Sequence, residues 1–172
     1  MDATTRRRYL QWIGGTALAG FAGCTGDGGD GDGGETLSGS DYPAIDEWLS
    51  ETEIGDSDDT YDGTLVDRRN QDTLTIRVGA TGNGGNFAYS PSAVVVSTGT
   101  NIEWSWSGQG NPHNVEALPE EQLGKSDYEF SSGEPEGGSG VKYSRSLDPA
   151  GTVLYHCEPH LPLGMKGGIA VE

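Results

Sequence analysis

Near the C-terminus, Tyr155-His156-Cys157-Glu158-Pro159-His160-Leu161-Pro162-Leu163-Gly164-Met165-Lys166-Gly167 puts a thiol, an imidazole and a thioether, those of Cys157, His160 and Met165, within nine residues. Sulfur and imidazole donors are soft ligands of the kind that suit copper. One more imidazole would complete a set of two His, one Cys and a distant axial Met. Asn111-Pro112-His113-Asn114-Val115, over forty residues upstream, is placed to give it.

The elements around these residues decide which donors can meet. Thr152-Val153-Leu154-Tyr155 is rich in β-branched and aromatic residues and reads as a strand, which Pro159, Pro162 and Gly164 show to have ended. Cys157 therefore sits at a strand's end, with His160 and Met165 on the loop beyond. Neighbouring strand side chains alternate, so Cys157 shares a face with Tyr155 while His156 points the other way. His156 is thereby excluded from the donor set and expected to be an ordinary, partly exposed residue.

Cys157-x-Pro159-His160-x-x-x-Gly164-Met165-x-Gly167, together with His113-Asn114-Val115, resembles the plastocyanin-type cupredoxins, and most of all the halocyanins of salt-loving archaea. The likeness runs from Asp41 to Glu172. It implies a Greek-key β-sandwich holding one copper, cycling between Cu(I) and Cu(II), with His113, Cys157, His160 and Met165 as its ligands. It also implies that Asn114 ties the upstream strand to the cysteine loop by hydrogen bonds. Glu158 stands where a small hydroxyl or other polar residue would fit the plastocyanin pattern more closely, which leaves the partner of Asn114 open, the Glu158 backbone being one that can serve. The function implied is one-electron transfer between redox proteins of a membrane electron-transport chain, by a monomer that is not an enzyme.

The rest of the chain agrees with an all-β fold. Leu74, Ile76 and Val78 alternate with Thr73, Thr75 and Arg77, the period of a half-buried strand. Gly79 to Asn86 reads as a glycine-rich turn before Phe87 and Tyr89. Val94-Val95-Val96 follows Pro91, and Ile102, Trp104 and Trp106 share one face of the next strand. Val141 to Leu147 alternates again, and Ile169-Ala170-Val171 closes the set. Seven or eight short strands with turn signals between them point to a sandwich or barrel. Ile45, Trp48 and Leu49, at helical spacing, predict a turn or two of helix lying against the sheet, and Glu51 to Asp62 an acidic loop.

Ahead of that domain, residues 1–24 read as a secretory leader. Thr5-Arg6-Arg7-Arg8-Tyr9-Leu10-Gln11 is a twin-arginine head, and Trp12 to Ala22 is apolar but too short to span a bilayer. Phe21-Ala22-Gly23-Cys24 resembles a lipobox, in which Cys24 becomes the lipid-bearing first residue of the mature chain. Residues 25–40, rich in Gly and Asp, read as a flexible acidic tether, leaving 41–172 as the copper domain. The expected location is the outer face of the cell membrane, reached through the lipid on Cys24.

The 172 residues include 27 Asp+Glu against 10 Lys+Arg. Without residues 1–23 there remain 26 acids and 7 bases, a net −19. Nucleic-acid binding is excluded on that balance, because phosphates need a basic patch. Concentrated salt shortens screening to about 3 Å at 1 M and makes such self-repulsion tolerable, which points to a halophilic source. The even pair Cys24 and Cys157 invites a disulfide, yet each cysteine has a better local explanation. A copper nitrite reductase would need a second copper site and further domains, and an oxidase-type centre a second ligand cysteine. The alternative to an electron carrier is a copper-delivery protein.

Overall fold

Side-chain alternation builds the first sheet. In the computed structural model, which describes residues 34–118 and 125–172, strand β3 (Thr73–Gly82) buries Leu74, Ile76 and Val78 and exposes Thr73, Thr75 and Arg77. The leader, Cys24 and most of the expected tether lie outside the described residues. Strand β6 (Thr100–Ser107) buries Ile102, Trp104 and Trp106 and runs parallel to β3, with Ile76 opposite Trp104 and Val78 opposite Trp106. Both apolar rows therefore face the same way. Strands β4 (Gly85–Ser90) and β9 (Ser139–Leu147) complete the sheet in the order β4-β3-β6-β9.

The central strands of the second sheet are buried on both sides. The sheet's order is β1 (Thr36–Ser38), β2 (Thr64–Asp67), β5 (Ala93–Val96), β11 (Lys166–Val171), β10 (Gly151–His156), β7 (Glu116–Ala117) and β8 (Phe130–Ser131). Val94, Val96, Val153, Tyr155, Ile169 and Val171 meet the β3 and β6 residues in the core between the sheets. On the opposite face Leu65, Ala93, Val95, Leu154 and Ala170 pack against Ile45, Trp48 and Leu49 of helix α1 (Pro43–Ser50). A strand covered on both faces needs no polar alternation, hence the unbroken run Ala93-Val94-Val95-Val96. Pro43 suits the helix's first turn, and burial of Ile45 and Leu49 contributes about 2 kcal/mol each.

This is the expected all-β sandwich, with eleven strands among the described residues rather than seven or eight. The additional ones are short. Thr36–Ser38 was expected in the tether but pairs antiparallel with Thr64–Val66, and Leu37 packs against the helix-side core. One apolar residue and three backbone pairs fold this stretch into the sheet, so the domain begins ahead of Asp41. The turn expected over Gly79 to Asn86 is likewise tighter: β3 continues through Gly82, and only Asn83 and Gly84 lie between it and β4.

Candidate metal centre

Strand β10 delivers Cys157 to the rim of the inter-sheet core, on the face carrying Val153 and Tyr155. The chain then folds back through a 3-10 turn over Glu158–Leu163, with Pro159 near its start. Three backbone bonds close the loop: His160 N–H to Cys157 O (3.1 Å), Met165 N–H to His160 O (3.2 Å) and Cys157 N–H to Met165 O (3.0 Å). Gly164, at φ +88°, ends the turn in the left-handed region that favours glycine. Local sequence thus holds the ring of His160 over the sulfur of Cys157, with Nδ1 3.2 Å from Sγ.

The upstream imidazole is fixed by the opposite side of the sandwich. His113 exchanges two backbone hydrogen bonds with Glu136, and Trp106 Nε1–H reaches the carbonyls of both residues. Its Nδ1 lies 3.1 Å from Nδ1 of His160 and 3.7 Å from Sγ of Cys157. Donors bound to one ion at about 2.0–2.3 Å stand roughly 3.3–3.8 Å apart, so the three atoms nearly enclose a single metal position. All three residues are buried, and their ligand atoms lie within 4.8 Å of one another.

Protonation also suits a metal. His113 Nε2 is 3.1 Å from the carbonyl of Gln109, which accepts its N–H and leaves Nδ1 free to face Cys157. Burial lowers the pKa of both imidazoles, and His113 lowers that of His160 further, so both rings are neutral near pH 7. Burial pushes the Cys157 thiol up to about 12; hydrogen bonds from Asn114 and His160 oppose this, and the charges of Glu158 and Glu116 add to it. The thiol keeps its proton until a soft cation displaces it.

Asn114 bridges the upstream strand and the cysteine loop. Its Oδ1 accepts the backbone N–H of Glu158 at 2.8 Å, and its Nδ2 donates to Gly133 O at 3.2 Å. Tyr89 OH donates to the Asn114 carbonyl at 2.7 Å from within the core. Met165 is fully buried in the same apolar cluster as Cys157. Phe87, read from sequence only as a strand residue, lies with its ring centroid 4.6 Å from that of His160 and 6.3 Å from that of His113. Its alternation with Tyr89 was the available signal that it points inward.

His156 points away from the donors, as alternation requires, but it is buried rather than partly exposed. Helix α1 covers that face, setting Trp48 edge-on to the imidazole at 6.3 Å, with Lys166 opposite on β11. Burial, then the charge of Lys166, lowers the His156 pKa to about 4.

The model of a family described as copper binding proteins, plastocyanin/azurin family, matches residues 76–172. A halocyanin of Natronomonas pharaonis is 37% identical over 174 residues, covering 100% of both chains. A plastocyanin of Scenedesmus fuscus is 35% identical over 107 residues, which are 58% of this chain and 99% of that one. Among solved structures, oxidised plastocyanin of Dryopteris crassirhizoma superposes on 58% of this chain and 100% of its own, with a TM-score of 0.43 and 20% identity.

Proposed function

The chain belongs to the plastocyanin/azurin family of copper-binding proteins as a halocyanin-type cupredoxin, and from that premise we propose that it is a membrane-tethered carrier of single electrons between respiratory redox proteins of a halophile. Its cofactor is a single copper. We assign His113, Cys157 and His160 as the residues that would hold it, with Met165, buried in the same cluster as Cys157, as the further donor. The observation carrying this assignment is the buried triad of donor atoms 3.1–3.7 Å apart. When bound, copper supplies the one-electron step by alternating between Cu(I) and Cu(II).

The protein's own part is to keep the donors still. The Gln109 carbonyl holds the tautomer of His113, and Asn114 pins the first residue after Cys157. Burial keeps water from the donor atoms. Ligands that cannot rearrange lower the cost of changing oxidation state, which favours a carrier over an enzyme. Leu163 and Pro162, exposed on the turn that bears His160, form an apolar patch in an otherwise acidic chain. We read it as the surface on which redox partners dock at the His160 edge, because concentrated salt weakens charge steering.

Tethering rests on the twin-arginine head, the lipobox-like Phe21-Ala22-Gly23-Cys24 and the Gly/Asp-rich stretch after them. A lipid on Cys24 would hold the domain at the extracytoplasmic face. The electron-carrier reading is tested by loading the protein with copper. An intense visible band that bleaches reversibly on one-electron reduction is expected, and Cys157→Ser should abolish it while leaving the fold. A band that survives in Cys157→Ser would overturn the ligand assignment.

A further inference from the structure

The loop bearing Cys157, His160 and Met165 has an outer wall, built from chain ahead of the 76–172 stretch that the family model matches. Gly55, at φ +75°, lies so close to the loop that a Cβ there would stand 2.1 Å from the Leu161 carbonyl. A Cβ on Gly164 would stand 2.2 Å from the carbonyl of Ser57. Lys166, just after Met165, donates to the backbone carbonyl and the carboxylate of Glu51 at 3.0 and 2.8 Å. Residues 51–57 thus abut the ligand loop at Leu161, Gly164 and Lys166.

One side chain joins this wall to the site. Asn83, in the left-handed region at φ +55°, turns its amide nitrogen toward three acceptors: the Gly164 carbonyl at 3.0 Å, the Phe87 carbonyl at 2.8 Å and Asp58 Oδ1 at 3.2 Å. Its Oδ1 accepts from Asp59 N–H at 2.8 Å, and its own N–H donates to Asp59 Oδ1 at 2.6 Å. Gly164 immediately precedes Met165, and Phe87 carries the ring packed at a tilt against His160. Asp58 is buried, with Thr60 donating to it through both its backbone and its hydroxyl, so the far end of the link is itself held.

We propose that Asn83 is a positioning residue for the copper centre, and that with residues 51–60 it clamps the ligand loop from outside. The proposal rests on the copper reading above. Asn83 touches no ligand atom; it acts through the Gly164 carbonyl, which fixes the return of the chain from His160 to Met165, and through Phe87. The clamp holds the loop in one geometry whichever oxidation state it surrounds.

Asn83→Gly tests this, because glycine keeps the left-handed backbone and deletes only the side-chain bonds. Backbone amide exchange is measured by NMR on the full chain, both metal-free and loaded with Cu(I). With the Asn83 side-chain bonds gone, the Gly164 and Met165 amides should exchange about tenfold faster in the variant, while those of Ile102 and Trp104 on β6 stay within about twofold. The copper-loaded variant should also release its metal to a chelator about tenfold faster. Unchanged Gly164 and Met165 exchange overturns the clamp, as does an equal rise on β6, which would mean a general loss of stability. Should Asn83→Gly fail to fold, Asn83→Asp, which also tolerates the left-handed backbone and keeps the acceptor for Asp59 N–H while deleting the amide donor, is measured in the same way, and the same confined rise is expected. If the parent protein takes up no copper, the copper reading fails, while the exchange pattern still decides whether the clamp exists.

Discussion

The pair Lys166 and Glu51 should respond very unequally to loss of one partner or the other. The Lys166 side chain is wholly buried, its ammonium 2.8 Å from the Glu51 carboxylate and 4.6 Å from the centre of the Trp48 ring. Glu51 is 20% exposed, and its Oε2 also accepts the backbone N–H groups of Glu53 and Ile54 at 2.6 and 3.0 Å. Burial pulls its carboxyl pKa up, but the bonds from Lys166, Ile54 and Glu53 outweigh this and leave it lowered. Glu51→Gln strands the ammonium where water does not reach. Breaking a buried pair this way costs about 3–5 kcal/mol, and the surviving Glu51 carbonyl bond and Trp48 face put the loss near the lower end. Lys166→Met leaves a carboxylate that keeps two amide donors and some water, and fills the slot beside Trp48 with an apolar chain, so its cost should be about 1 kcal/mol or less. Urea unfolding of the metal-free protein, followed by Trp fluorescence, measures both. With a slope of about 2 kcal/mol per molar, the midpoint should fall by about 1.5 M for Glu51→Gln and by at most about 0.5 M for Lys166→Met. Equal shifts, or the larger shift for Lys166→Met, would refute the asymmetry.

His156 is buried neutral, so as pH falls the unfolded chain takes up its proton first. The stability it contributes is present above the ordinary value of 6.5 and is lost between there and about 4, up to about 3 kcal/mol. His156→Gln should remove that part of the pH dependence of urea unfolding, and identical slopes in the two proteins would contradict it. Cys24→Ser should move the protein from the membrane fraction to the soluble one, and protein still wholly in the membrane fraction would rule out the lipid tether.

What could be read from the sequence is what short stretches decide. Cys157, His160 and Met165 share a loop of nine residues shaped by two prolines and a glycine, and their backbone bonds run within that loop. Period-2 alternation likewise put Ile102, Trp104 and Trp106 on one face and turned His156 away from Cys157. The misjudged features depend on distant partners. Alternation alone leaves His156 partly exposed, and the helix that buries it, Pro43–Ser50, lies more than a hundred residues upstream. Thr36–Ser38 carries one apolar residue in a run of Gly, Asp and Ser, and only pairing with Thr64–Val66 makes it a strand.

Asn83 shows why donors and their support differ in this respect. In a glycine-rich run an Asn signals a turn, and the left-handed φ of +55° agrees. Nothing in that run says that its amide also reaches Asp58 and Gly164, residues far away along the chain in opposite directions. Metal chemistry selects a few residue types, so the proposed donors Cys157, His160 and Met165 stand out by composition alone. Holding a carbonyl still needs only a donor of the right reach, which many residue types could provide, and leaves no such mark in the composition. Proteins with the same proposed donor set can therefore differ in how firmly the loop bearing it is held, and the proposed clamp puts that firmness here on residues such as Gly55, Asp58 and Asn83, which lie outside that set.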